Sequence, residues 1–91
     1  MRLEGWGRWR TPRRDADAEV RAFARAMEHD LAELEYEEVT AEDRATFVEA
    51  VVEQEMRRAL ARGRFDLALR LRSYGRERVR ELFEGRSQAG G

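Results

Sequence analysis

The chain of 91 residues has no cysteine, which removes disulfides, thiolate metal sites and cysteine nucleophiles at once. Its redox compartment therefore leaves no mark on cysteine usage. Lysine, asparagine and isoleucine are absent too. All three use A/T-rich codons, whereas the abundant Arg, Ala and Gly use G/C-rich ones, and a GC-rich genome accounts for the pattern. All 18 basic residues are consequently Arg, so an Arg cluster here does not signal that Lys was rejected in favour of bidentate phosphate binding. No apolar run approaches the roughly 18 residues that cross a bilayer. Residues 1–10 carry charge but lack the apolar stretch of a secretory signal. The expectation is a soluble, cytoplasmic protein with no membrane partner.

Large apolar side chains are scarce as well. Hydrophobic residues make up 42% of the chain, but 13 of them are Ala. Leu, Val and Phe number 18 of 91, just under the roughly 20% at which disorder becomes a concern. The other half of a disordered composition, high net charge, is missing, because the net charge is −1. The chain is expected to fold as one small domain with a thin core. A core of that kind usually needs a partner or self-association, so a homo-oligomer is expected.

Charge is present in abundance and is unevenly placed. Residues 1–14 carry net +4, residues 15–56 net −11 and residues 57–91 net +6. Acidic and basic segments of this size can pair within the chain, across a homodimer or with an outside partner.

The pattern predicts an all-α fold: a Trp/Arg/Gly arm over residues 1–11, a three-helix domain over 12–85 and a polar tail over 86–91. Gly5 and Gly7 argue against helix in the arm. Thr11-Pro12 has the form of a helix start. Val20, Phe23, Met27, Leu31 and Leu34 then fall on one stripe of a first helix over 12–36, expected to fray among the acids that follow Leu34. Thr40-Ala41-Glu42-Asp43 is a variant capping box, with Asp in the Glu position. It opens a second helix whose apolar face holds Phe47, Val48, Val51, Val52, Met56, Ala59 and Leu60, with Gly63 as its stop. From Phe65 onward, Phe65, Leu67, Leu69 and Leu71 alternate with polar residues as in a strand. Helix is preferred, because Leu, Ala and Arg form helices and no β-branched residue occurs before Val79. Leu82 and Phe83 complete the predicted core, Gly75 marks a kink or a close backbone contact, and Gly85 is the predicted end.

Ala61-Arg62-Gly63-Arg64-Phe65-Asp66-Leu67-Ala68-Leu69 resembles the tight connector between the helices of tetratricopeptide-type repeats. The likeness covers nine residues, with no 34-residue repeat in the chain. It implies an antiparallel αα-hairpin of the second and third helices, and no function. Asp43-Arg44-Ala45-Thr46-Phe47-Val48-Glu49-Ala50-Val51 is similar to the second helix of ribbon–helix–helix antitoxins. That family reads DNA with an N-terminal strand, and the Gly/Trp arm departs from it.

Groups for catalysis are few. His29 is the single histidine, with Glu28 and Asp30 beside it and Glu33 one turn on. Glu49 and Glu53 form a second i, i+4 pair. The carboxylate-bridged metal pattern of helical bundles wants Glu three residues before His, and position 26 is Ala. Ser73 and Ser87 lack a second histidine or a lysine to activate them, and no Gly-rich loop joins a strand to a helix. No enzyme, cofactor or metal is expected.

What remains is binding. Trp6, Arg8, Trp9, Arg10, Arg13 and Arg14 mix aromatic planes with cations. That mixture dominates protein interfaces and also binds single-stranded nucleic acid. Arg72, Arg76 and Arg80 recur at i, i+4 and i+8 on the third helix. The leading expectation is a non-catalytic interaction protein, an accessory subunit or regulator, meeting a protein partner or sister subunit. The alternative is a nucleic-acid-binding regulator using the arm and the Arg stripe. Against it stand the pI of 5.9 and the acidic middle of the chain. Trp6 and Trp9 are expected to anchor in a groove.

Overall fold

The computed structural model describes residues 2–34 and 38–90, with side chains at 16–34 and 38–85. They form α1 (Arg2–Leu34), α2 (Ala41–Ala61) and α3 (Phe65–Gly90). The Phe65–Leu71 alternation is helical. Leu67 and Leu71 are buried, while Phe65 and Leu69 face outward.

The signals around α2 work as the local chemistry demands. The Asp43 N–H donates to Thr40 Oγ1 at 3.0 Å, and the Thr40 N–H donates to Asp43 Oδ2 at 3.4 Å. Two otherwise unpaired donors are thereby satisfied, and the shorter Asp does the work usually given to Glu. At the far end Gly63 takes a left-handed φ of +74°. The Gly63 N–H donates to the Leu60 carbonyl at 2.9 Å and the Arg64 N–H to the Ala59 carbonyl at 2.8 Å. Those are the two bonds of a Schellman stop. Three residues therefore suffice to turn α2 into α3.

The other two expected boundaries are overturned. The segment read as a non-helical arm before Thr11-Pro12 belongs to α1, which begins at Arg2. Arg, Leu and Glu are good helix formers, and no β-branched residue precedes Thr11. That preference outweighs the roughly 1 kcal/mol that each of Gly5 and Gly7 costs relative to Ala. Gly85 does not end α3, which continues through Gly90. Among the described residues only Gly63 adopts the left-handed conformation that terminates a helix. α1 is described as far as Leu34, and the expected fraying begins at the next residue. Glu35, Tyr36 and Glu37 lie outside the described residues.

The core is thin and rich in small residues. Met27, Leu31, Val48, Val52, Leu67 and Leu71 are buried together with Ala59 and Ala68. Val20, Phe23, Leu34, Phe47, Val51, Met56 and Leu82 pack against them, partly covered. Leu60 and Phe83, expected in the core, are exposed. Each sits at the edge of its helix's apolar face. Ala59 of the predicted α2 face is buried, and Ala16, Ala45 and Ala68 take interior places that a search for large apolar residues overlooks.

α3 packs most extensively on α2, less on α1, and α1 touches α2 least. The close approach of α2 to α3 depends on Gly75. A Cβ there would lie 2.9 Å from Val52 Cγ1 and 3.2 Å from Cγ2. Of the two meanings the sequence allowed for Gly75, close contact is the one realised.

Candidate functional site

The charged residues separate into an inward set and an outward set. The inward set fastens α1 to α3 and to the turn before it. Glu19 accepts from Arg64 at 2.9 Å and lies 4.0 Å from Arg62. Asp17 pairs with Arg70. Glu28 takes a two-pronged grip from Arg78, Nε on one oxygen and Nη2 on the other at 2.8 Å. The Tyr74 hydroxyl donates to the same carboxylate at 3.4 Å. Ring stacking adds to the seam, since Phe23 and Tyr74 meet edge to face with centroids 6.2 Å apart. Burial, and then the Glu28 charge, push the Tyr74 phenol up to about 12. Bonding to Glu28 raises Arg78 above the usual arginine value. The acidic middle of the chain thus meets the basic C-terminal region within one molecule.

The outward set lies on α3. Phe65, Leu69, Arg72, Arg76, Arg80 and Phe83 recur at intervals of 4, 3, 4, 4 and 3, and all six are exposed. Phe65 and Leu69 are 65% and 61% exposed, the two most exposed large hydrophobic residues among the described ones. The predicted Arg stripe is therefore real as a face, but its three members differ. Arg80 is held by Glu77 and by Glu84, the latter at 2.9 Å. Arg72 and Arg76 have no ion pair among the described residues. They stand along a groove between α2 and α3 whose floor is Val52, Met56, Gly75 and Val79. Glu49 and Glu53 stand on its α2 side. Glu53 also binds Arg57 at 3.2 Å, one turn along its own helix.

Sequence reasoning placed Glu49 and Glu53 as a carboxylate pair but missed that they share a groove with Arg72 and Arg76. It also missed Phe65 and Leu69 as surface residues. The spacing from Phe65 to Phe83 held the signal, once the Arg positions are read as one line with the apolar ones. His29 and Glu33 lie 3.6 Å apart on an open face, and no group of three metal-ligating side chains occurs among the described residues. The side chains of Trp6, Arg8, Trp9, Arg10, Arg13 and Arg14 lie outside the described residues, and so does any groove for the two indoles. No described helix is long and apolar enough to cross a membrane. Compared with protein-family models, with curated proteins and with solved structures, the chain matches none.

Proposed function

We propose that the protein is a non-catalytic interaction protein, a small accessory subunit or regulator that works through protein–protein contacts in the cytoplasm. The observation that carries this reading is the outward line of α3, where Phe65 and Leu69 lie exposed beside Arg72 and Arg76. Exposed aromatic and aliphatic side chains beside Arg are what interface centres are made of. An antiparallel αα-hairpin of α2 and α3 is the scaffold of this reading. The three-residue turn and the approach of Val52 to Gly75 support it. The Trp-containing first turns of α1 are proposed to add to the contact.

The second reading, nucleic-acid binding, draws on the two unpaired arginines of the same line. Glu49 and Glu53 beside them, and Glu77 and Glu84 around Arg80, oppose a polyanion. One experiment separates the two readings. The tagged full chain and its Phe65→Ser/Leu69→Ser variant are used as bait in lysate of the source cell, with and without nuclease. Bound protein that survives nuclease and is lost with the variant supports the proposal. Bound material that vanishes with nuclease supports nucleic-acid binding. Identical recovery by both baits rejects the α3 line as the contact.

A further inference from the structure

We infer that the groove between α2 and α3 is where a second copy of this chain binds, related to the first by a two-fold axis running along the groove. The inference deepens the proposed function by naming one partner, the sister chain, and it rests on that reading of the α3 face.

The groove is apolar at its floor and carries opposite charges on its two sides. Val52 is buried at the bottom of the groove, Met56 and Val79 are only partly covered, and Gly75 leaves the floor low. Glu49 and Glu53 make one row, Arg72 and Arg76 the other. The rows do not pair with each other, since no N–O distance across the groove falls within 4.0 Å among the described residues. Each row is therefore a like-charge i, i+4 pair, an arrangement that is unfavourable on an isolated helix. Val52 meets Gly75, which sets Glu53 level with the interval between Arg72 and Arg76.

This arrangement discriminates among occupants. An acidic helix or a polyanion meets the Glu row, and a basic helix meets the Arg row. The fitting partner presents both signs, side by side, at one-turn spacing. A second copy does so. Rotation about an axis along the groove exchanges left and right while keeping height. Each copy's Glu row then lies over the other's Arg row, and the two apolar floors close together. Such a face is self-complementary and closes at two copies. It also gives a chain with a thin core the extra burial that its size demands. Leu60 follows Met56, and Phe83 follows Val79, each four residues on, so exposed apolar side chains extend the floor at both ends.

Sedimentation equilibrium of the full chain at micromolar concentration tests the inference. The expected mass is twice 10.7 kDa, falling toward the single-chain value as salt screens the rows. Glu49→Arg/Glu53→Arg and Arg72→Glu/Arg76→Glu should each be monomeric, because both rows then face like charge. An equal mixture of the two variants should return to the dimer mass, because every facing row is again opposite. If either variant loses helical circular dichroism, cysteine pairing replaces it. The chain has no cysteine of its own, so Glu53→Cys and Arg76→Cys chains should cross-link when mixed under oxidation and not when alone. A wild-type chain that stays at 10.7 kDa overturns the inference. So does a dimer that persists in both charge variants, or a mixture that neither reassociates nor cross-links. A monomeric chain that still loses its cellular partners with Phe65→Ser/Leu69→Ser would sink the dimer and leave the proposed function standing.

Discussion

Gly75 shows how much one missing carbon can decide. Adding a methyl group there places it 2.9 Å from Val52, a β-branched side chain with little rotamer freedom. Overpacking of this kind costs about 1–3 kcal/mol, while Ala in place of Gly in a helix returns up to about 1 kcal/mol. The net expectation for Gly75→Ala is a loss of stability and a lower Tm. Val52→Ala in the same chain should recover part of that loss by clearing the clash. Thermal melts of the wild type and the two variants check this. Gly75→Ala melting at or above the wild type would show that α2 and α3 need no such closeness.

At the scale of the helices, the start of α2 stands on side chain–backbone chemistry visible in four letters, and its end on backbone bonds around one glycine. Thr40 and Asp43 exchange hydrogen bonds with each other's backbone N–H. Thr40→Ala removes the cap and should cost about 0.5–2 kcal/mol. Thr40→Ser keeps the hydroxyl and should cost little, and denaturant midpoints distinguish the two. This is also where the sequence was most legible. A cap or a left-handed glycine acts within a few residues, so Thr40, Asp43 and Gly63 could be placed without knowing the rest of the fold. Burial could not be placed in that way. Leu60 and Phe83 satisfy the helical spacing as well as Leu67 and Leu71 do, and only the positions of the other helices leave them outside. The first turns of α1 were misread for a related reason. Two glycines weaken a helix by an amount that the remaining residues can outweigh, and no nearby signal fixes the balance. For the outward face, the Arg positions were legible as a stripe. The groove they border was not, because it depends on which side of α2 meets α3.

The molecule as a whole is built on two unlike seams. α2 and α3 meet through close apolar packing at Gly75 and Val52, whereas α1 adds to the core contacts of Met27 and Leu31 a line of ion pairs with an aromatic contact between them. The Tyr74 phenol belongs to the second seam, and its titration gives that seam a pH dependence. Its ordinary value is 10, and in the fold it stands at about 12. Between those values the unfolded chain has lost the phenolic proton that the folded chain keeps. The folded state thus binds more protons, and its stability falls as pH rises through that window. Tyr74→Phe cannot titrate and should show a shallower loss of Tm between pH 10 and 12 than the wild type. Parallel slopes for the two proteins would mean that neither burial nor Glu28 raises the phenol.

The two-pronged grip of Arg78 on Glu28 has a consequence for covalent control. A guanidinium whose proton affinity is raised further by its carboxylate partner keeps its charge at every pH where the helices survive. Acylation, the common way to erase a positive side chain, acts on lysine amines, and these 91 residues contain none. The cationic half of the α1–α3 seam is therefore permanent to both protons and acyl groups.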